Sequence, residues 1–399
     1  FGINKMKIKF IVRQMIKMAV QNVLLPFVYR IHRRKTVNKR MLLFADAHHD
    51  TIPYSMEAVR QRFDGCEWEI REYFLDYQGN SFFAVLRSML AFMRDYANAG
   101  YVFICDNFLP VSSCRKRPET CVVQLWHAGG ILKKYAYDTP DDIPAYYKGH
   151  VYKNYDVVTV SAPVCVPVYE RAMRLRRETI YPIGLSRTDC FFDENYLQSC
   201  REEFYAHYPE AKGKRILLFA PTFRGKASDP YLVGGEWVMR LEEQLNGALD
   251  EGEMPYKVYM RVHPHLDNKK KLSNIDMETQ KLLPVVDLLI SDVSSVIFDY
   301  VLLQKPMVLF LPDLEELEST RGFYIPLADI PGTLVTQGEK LAGSVRDTVR
   351  AFYAADKGGQ ACDDDARQRL RNFCRLYMGS CDGQATDRLL SLIGLLDKR

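Results

Sequence analysis

The sequence predicts an α/β protein with two doubly wound, Rossmann-type domains that face one cleft. From residue 41 onward, short apolar runs alternate with amphipathic segments, a pattern typical of parallel sheets covered by helices. These runs form two series, and a polar, helix-like stretch at about 190–212 separates them. With 399 residues and 47% hydrophobic content, the chain is long enough for each series to bury a core of its own.

Each apolar run is predicted to be one strand of a parallel sheet. The runs of the first series are 41–46, 101–105, 121–126, 156–161 and 179–184. The runs of the second series are 215–222, 257–264, 287–292 and 306–311. The clearest helix is 81–99, where large apolar residues recur at steps of three and four. We therefore expect a first domain at 41–200 and a second at 201–399. The helices after about 338 are expected to close the second domain, and a return of these helices to the first domain stays open.

The N-terminal segment, residues 1–40, differs from the rest in charge. Residues 1–45 hold eleven Lys and Arg and no acidic residue, although the net charge of the whole chain is only +4. Lys9, Arg13 and Lys17 recur every four residues and form a polar stripe on an otherwise apolar helix. Such a basic amphipathic helix either lies on an anionic membrane surface or packs against the protein itself, and both interpretations remain open. Its longest uncharged stretch, 18–29, is too short to span a bilayer.

Composition also limits the classes of function. The body of the chain lacks a basic, aromatic-rich surface pattern, so no nucleic-acid partner is expected. The ten cysteines have no C-x-x-C spacing, so neither disulfides nor a zinc site is expected, and a reducing cytoplasm is the favoured compartment. His48 and His49 have no further ligand at metal spacing, so no metal site is predicted, and a requirement for a divalent cation stays open.

Several polar side chains lie just past the ends of predicted strands. They are His127, Thr222, His263 and Ser294. Open parallel sheets bind ligands at this edge, so the shared position is more informative than any single residue. Arg261 is two residues from His263 on an extended segment, so both side chains leave the same face.

The serine pair that follows the strand at 287–292 has two interpretations. Ser294 and Ser295 lie in the first turn of a predicted helix, whose free N–H groups suit a phosphate. Alternatively, Asp292 and Ser294 only cap that helix.

The sequence resembles the CDP-glycerol glycerophosphotransferases, which build wall teichoic acids in Gram-positive bacteria. The matching motifs stand in the family's order over about 81–333: QLWHAGGILKK (124–134), YD (155–156), GLSRTD (184–189), LFAPTFRG (218–225), RVHPH (261–265), SDVSSVIFDY (291–300), KP (305–306) and RGFY (321–324). The resemblance implies a GT-B-like fold, in agreement with the two predicted domains, and transfer of a polyol phosphate. Ala128 stands where many members have glycine, a variant associated with the shorter, primase-like members.

The resemblance also implies roles for individual residues. His127 is expected to be the general base, and His263 to offset charge on the departing CMP. The expected donor-binding residues are Thr222, Arg224, Arg261, Ser294, Ser295, Asp299 and Arg321. The expected acceptor-side residues are Gly129, Gly130, Lys133 and Lys134. The glycines would let the backbone approach the acceptor, and the lysines would supply positive field for phosphate. Arg187 and Asp189 match the family and are interpreted as fixing the turn between the domains.

The implied donor is CDP-glycerol, and the implied acceptor is a hydroxyl of a polyprenyl-diphosphate-linked saccharide. The reaction would take place at the cytoplasmic face of the cell membrane, to which the protein would bind peripherally. A polymerase of glycerol phosphate and a CDP-ribitol-dependent transferase remain alternatives. A non-catalytic nucleotide-binding scaffold has no positive support in the sequence.

Overall fold

Two parallel sheets form the centre of the molecule. The computed structural model describes residues 15–140, 142–143, 150–226, 229–262, 266–267, 271–320, 322–353 and 364–396. Its strands, in chain order, are β1 (Asn38–Asp46), β2 (Glu69–Phe74), β3 (Ala99–Ile104), β4 (Cys121–Gln124), β5 (Val157–Thr159), β6 (Ile180–Tyr181), β7 (Arg215–Ala220), β8 (Arg224–Lys226), β9 (Asp229–Tyr231), β10 (Tyr256–Met260), β11 (Leu288–Ser291), β12 (Met307–Phe310) and β13 (Thr333–Val335). The first sheet has the order β2-β1-β3-β4-β5-β6, and the second has the order β10-β7-β11-β12-β13. Strands β8 and β9 form a separate antiparallel hairpin.

Helices connect and cover the strands. They are α1 (Leu25–Ile31), α2 (Tyr54–Gln61), α3 (Phe82–Tyr96), α4 (Leu109–Ser112), α5 (Val166–Met173), α6 (Glu194–His207), α7 (Gly235–Asn246), α8 (Thr279–Leu282), α9 (Val296–Val301), α10 (Leu314–Thr320), α11 (Leu341–Tyr353), α12 (Asp364–Met378) and α13 (Ala385–Leu392). The predicted helix at 81–99 is α3, whose first residue follows the N-cap Ser81. The polar stretch between the two series contains α6, as its helix-like pattern indicates.

The prediction of an α/β fold with parallel sheets is confirmed, because every apolar run singled out above overlaps a strand. Three elements escaped the search for apolar runs. Strand β2 is an edge strand whose residues are half-buried or exposed, so charged and apolar residues mix along it. Strand β13 is also at an edge, and the hairpin of β8 and β9 belongs to neither sheet.

The strand order creates a switch point in each sheet. In the first sheet, β2 lies on one side of β1 and β3 lies on the other. The strand order therefore changes direction between β1 and β3, which is the switch point of this sheet. In the second sheet β7 lies between β10 and β11. Ligands of doubly wound sheets bind at the carboxyl ends of strands beside such points. The residues that follow β1, β3, β7 and β11 are therefore the first to consider for a site.

The C-terminal helix α13 returns to the first sheet. Its Leu389 and Leu390 are fully buried in one cluster with Leu42 and Phe44 of β1. Asp189 caps the start of α13, since its carboxylate accepts from the backbone N–H groups of the helix at 3.0 and 2.8 Å. The C-terminal helices thus include one that crosses back to the first sheet, because the apolar face of α13 is complementary to that sheet.

The helix at the N-terminus of the described chain is partly packed and partly exposed. A π-helical turn at Val20–Leu24 precedes α1, and residues 1–14, which include most of the predicted polar stripe, lie outside the described residues. Leu25 and Tyr29 are buried, and the ring of Tyr29 packs edge-on against Tyr96 of α3 at 5.1 Å between centroids. The opposite side of the helix exposes large apolar side chains, which include those of Val23 and Phe27. Both interpretations left open by the sequence therefore have a structural counterpart on different faces of one helix.

Candidate functional site

The first half of the site lies at the carboxyl edge of the first sheet, where His127 follows β4. The Nδ1 atom of His127 is 3.3 Å from a carboxylate oxygen of Asp106, which follows β3. The same carboxylate oxygen is 3.6 Å from Nδ1 of His48, which follows β1. His127 and His48 are both more than 40% exposed, so both rings are accessible to solvent. A carboxylate beside Nδ1 favours the tautomer that carries its proton there, which leaves Nε2 of His127 with the lone pair that a general base needs.

A second carboxylate, Asp46 at the end of β1, organises the neighbouring pair His48 and His49. Its Oδ2 atom accepts the backbone N–H of His48 at 2.7 Å and bonds to Nδ1 of His49 at 2.8 Å. Burial alone would raise the pKa of Asp46, but the hydrogen bonds from His48 and His49 outweigh it and hold that pKa far below its usual range. The bond to Asp46 in turn raises the pKa of both histidines. This edge of the sheet therefore combines the carboxylates of Asp46 and Asp106 with the imidazoles of His48 and His49, which keep their protons more readily than usual because their pKa is raised.

The backbone just before His127 is strained. Trp126 has φ of +58°, in the left-handed region that costs a non-glycine residue about 1 kcal/mol or more. The Trp126 side chain is buried, and its ring lies 4.6 Å from the ring of His127. The bond from the Trp126 N–H to the Gln124 side chain, at 2.9 Å, holds this turn. Packing thus fixes both the direction in which β4 ends and the orientation of the imidazole.

The two glycines after His127 lie where the half of the molecule built on the first sheet meets the half built on the second sheet. Gly130 has φ of +59°, and a Cβ atom there would lie 2.1 Å from a ring carbon of Phe298 in α9. A Cβ atom at Gly129 would lie 3.0 Å from the Met378 side chain of α12. Both glycines are buried, and they let the His127 loop approach the second half of the molecule. The approach of an acceptor to their backbone stays a prediction.

A buried arginine joins the two halves directly behind His127. Arg187 donates to the backbone carbonyl oxygen of His127, to the Tyr54 hydroxyl and to the Asp299 carboxylate of α9. The side chains of Arg187 and Asp299 are 4% and 7% exposed. Burial raises the pKa of Asp299, although Arg187 opposes this shift. The Asp299 carboxylate is thus enclosed and bound to Arg187, and its expected contact with a donor polyol stays a prediction.

The second half of the site centres on Asp292, which follows β11. Its carboxylate accepts from the backbone N–H of Thr222 at 3.0 Å and from the Thr222 hydroxyl at 2.6 Å. Arg224 donates to the same carboxylate at 2.7 Å and makes a two-bond contact with Asp313 at 2.6 and 3.1 Å. Asp292 therefore joins the loops after β7 and β11 rather than capping α9. Donor contacts by Thr222 and Arg224 remain predictions, and the charge of Arg224 is already balanced by two carboxylates.

The remaining donor-side residues lie at the same edge of the second sheet. Ser295 is exposed and immediately precedes α9, while Ser294 is half-buried and accepts the Val296 N–H at a long 3.4 Å. Arg261 is half-buried and donates to the Ile275 carbonyl at 3.2 Å. His263 and Arg321, which were also predicted here, lie outside the described residues. Their proposed roles stay predictions.

The lysines of the acceptor-side motif lie where the two halves cross. Lys133 forms an antiparallel bridge with Phe323, and the Lys134 N–H donates to the Gly322 carbonyl at 3.2 Å. The Tyr324 N–H donates to the Leu132 carbonyl at 2.8 Å. The ILKK and GFY segments, which are far apart in sequence, thus pair along their backbones beside position 321.

Sequence reasoning missed the role of Asp106, the approach of His48 to Asp106, and the role of Tyr54. Their positions after β3, after β1 and at the start of α2 were the available signals, since loops at the carboxyl edge of a sheet carry function. Within the described residues, no group of three or more His, Cys, Asp and Glu side chains has the arrangement of a metal site.

Comparisons with known proteins agree with this arrangement. The family model described as CDP-glycerol:poly(glycerophosphate) glycerophosphotransferase matches residues 27–395. The teichoic acid ribitol-phosphate primase of Bacillus spizizenii is 31% identical over 324 residues, which cover 78% of each chain. The teichoic acid glycerol-phosphate primase of Bacillus subtilis is 29% identical over 296 residues, which cover 68% of this chain and 72% of the primase.

A solved structure supports the same fold. A variant of the wall teichoic acid polymerase TagF superposes with a TM-score of 0.74 at 19% identity, and the match covers 99% of this chain and 98% of that one.

Proposed function

Because the chain belongs to the CDP-glycerol:poly(glycerophosphate) glycerophosphotransferase family, we propose that it transfers a polyol phosphate from a CDP-activated polyol to a hydroxyl of a lipid-linked saccharide. The relatives of this chain include teichoic acid primases, and the matches to them cover more than two thirds of both chains. The supporting observation is the placement of His127. Its Nδ1 faces the Asp106 carboxylate, and its backbone carbonyl oxygen accepts from Arg187, which also binds Asp299 of α9.

In the proposed reaction, Nε2 of His127 accepts the proton of the acceptor hydroxyl. The hydroxyl oxygen forms a bond to the β-phosphorus of the donor, the bond from that phosphorus to the bridging oxygen breaks, and CMP leaves with the bridging oxygen. Phosphoryl transfer depends mainly on positioning and charge stabilisation, so no covalent intermediate is needed. On the donor side we assign charge stabilisation to His263 and Arg321, and phosphate contacts to Ser294 and Ser295.

The donor polyol has two candidates. CDP-glycerol is the donor that the sequence motifs imply, and the family description supports it. CDP-ribitol is favoured by the ribitol-phosphate primase, which matches a larger share of this chain than the glycerol-phosphate primase does. The expected product carries one added polyol phosphate, whereas a polymerase would form a ladder of longer products.

A single assay tests this proposal. Release of CMP is measured with each CDP-polyol, with and without a lipid-linked disaccharide analogue and with and without a chelator, and product length is read by mass spectrometry. We expect release only with the acceptor, and a loss of at least about 100-fold in His127→Ala. His207→Ala is the matched control, since His207 is exposed on α6 and its ring bonds to the Glu203 carbonyl of its own helix. Unchanged CMP release in His127→Ala would refute the assigned base.

We also propose that the protein binds the cytoplasmic face of the membrane through the exposed side of the helix that ends in α1. No helix in the described part of the chain is both long and apolar enough to cross a bilayer. The exposed apolar side chains of this helix include Val23, Phe27 and Ile31, and those of Phe82 and Phe83 lie at the start of the neighbouring α3. Replacing Val23 and Phe27 with serine should reduce co-sedimentation with anionic vesicles. Unchanged sedimentation of that variant would contradict membrane binding by this face.

A further inference from the structure

A basic cavity lies at the edge of the first sheet opposite to His127. Its volume is about 370 Å³, and α1 and the loop between α4 and β4 enclose it. Five cationic side chains line it: Arg30, Arg33, Arg115, Lys116 and Arg117. We propose that this cavity binds the phosphate of an anionic lipid headgroup, an inference that rests on the membrane association proposed above.

One residue that lines the cavity, Arg117, is buried and has an N–H donor without an acceptor in the part of the chain that the structure describes. Arg117 is 5% exposed, and its guanidinium donates to the carbonyl oxygens of Arg34 and Lys35 at 2.9 and 3.3 Å. Its backbone N–H donates to the Tyr29 hydroxyl at 2.9 Å. Its Nε–H is buried without a hydrogen-bond acceptor among the described residues, and the nearest carboxylate oxygen, of Glu119, is 3.7 Å away. A buried donor on a cation is costly to leave unpaired, and a phosphate oxygen is the acceptor that suits it best.

The rim of the cavity has more positive charge than its surroundings balance. Lys116 lies 3.0 Å from Asp156. In the described part of the chain, Arg30, Arg33 and Arg115 form no ion pair with any carboxylate. Burial raises the pKa of Tyr29 to about 12, so its hydroxyl stays neutral and balances none of this charge. An anion in the cavity would therefore relieve repulsion among the arginines.

The surroundings of the cavity favour a membrane lipid over a soluble phosphate. Phe27 and Ile31, which flank Arg30 on α1, are 55% and 57% exposed. A lipid presents a phosphate beside acyl chains, so it can use the cavity and this apolar surface at once, whereas a soluble phosphate uses the cavity alone. The cavity is also separate from the transfer site. It borders the loop before β4, His127 follows β4, and a strand of that length spans about 13 Å.

The test is a vesicle-binding assay on the full chain, with neither donor nor acceptor present. Phosphatidylcholine vesicles are doped either with phosphatidylglycerol or with oleate, and their zeta potentials are matched, so that only one set carries a lipid phosphate without a compensating ammonium group. We expect about tenfold tighter binding to the phosphatidylglycerol vesicles. This preference should disappear in the double variant Arg33→Ala/Arg115→Ala.

A charge-matched control separates the cavity from general attraction. Arg34→Ala/Lys35→Ala removes the same charge nearby, but neither side chain lines the cavity, and both residues contact Arg117 only through their carbonyl oxygens. The control should weaken binding to both vesicle sets about equally and keep the preference for phosphatidylglycerol. Circular dichroism verifies that both variants are folded.

Three outcomes would overturn the lipid assignment: equal binding of the wild type to both vesicle sets, an equal loss of preference in both double variants, or full displacement from phosphatidylglycerol vesicles by millimolar inorganic phosphate. The last outcome would assign the cavity to a soluble anion. No turnover is measured in the vesicle assay, so a negative result there does not count against the proposed transfer reaction. A failure of the transferase assay equally does not count against lipid binding by the cavity.

Discussion

The buried ion pair between Arg187 and Asp299 provides the sharpest test of how the two halves are held together. The two side chains are 4% and 7% exposed, and Arg187 also binds the His127 carbonyl and the Tyr54 hydroxyl. Removing one partner of a buried pair costs about 3–5 kcal/mol, because the other charge remains without compensation. In Asp299→Asn, Arg187 keeps its two neutral acceptors, so we expect a loss near 3 kcal/mol. Asp299→Ala also leaves a cavity and should lose nearer 5 kcal/mol.

The assay is urea unfolding with linear extrapolation, together with CMP release at a saturating donor concentration. The double variant Arg187→Met/Asp299→Leu should lose clearly less stability than Arg187→Met and Asp299→Leu lose in sum, since it buries no unpaired charge. The matched control is Asp64→Asn, which breaks the exposed pair of Arg60 and Asp64 and should cost less than about 1 kcal/mol. If Asp299→Asn unfolds within about 0.5 kcal/mol of the wild type, the pair does not hold the interface and the reasoning is refuted.

Three further predictions concern single positions. Asp106→Asn should lower kcat by about tenfold or more with little change in the donor KM, because the carboxylate orients His127 without touching the donor; a change confined to KM would contradict this. Gly130→Ala should reduce stability by about 2–4 kcal/mol, and Phe298→Leu in the same chain should restore part of the loss; a neutral Gly130→Ala in urea unfolding would refute the close contact. Burial lowers the pKa of Lys305 to about 8, so the folded protein releases this proton before the unfolded chain does, and stability should rise between about pH 8 and 10.5. Relative to Lys305→Met, the wild type should gain about 2 kcal/mol from pH 7 to 9.5, and parallel stability curves would show that Lys305 does not titrate in this range.

Much of the fold follows from hydrophobic patterning, because a strand buried on both faces must be apolar throughout. Strands β4, β7 and β11 are apolar except for one terminal residue each, so the residues after them could be named in advance. Strand β2 could not, since an edge strand exposes part of its length and its sequence mixes charge with apolar residues. The position of His127 at a strand end was therefore predictable, whereas the strand order around it was not.

The partners of the site residues were harder to predict than the residues themselves. Asp106 and His48 approach one another because β1 and β3 are neighbours, and no local pattern in the sequence contains this information. The glycines after His127 were assigned to an acceptor because local reasoning sees their flexibility but not the ring of Phe298 beside them. Asp299 was assigned to a donor for the same reason, since its burial depends on Arg187, which lies in the other half.

The return of α13 to the first sheet has a mechanical consequence. The polypeptide passes between the halves twice, once before α6 and once near α12, whose Phe373 stacks on Phe298 of α9. Together with the packed contacts between the halves, two covalent links should favour rotation about an axis that runs through both links over twisting or sliding. Any opening of the cleft to admit a substrate would then follow one path. A proteolytic cut in either link should free the remaining motions without separating the folded halves.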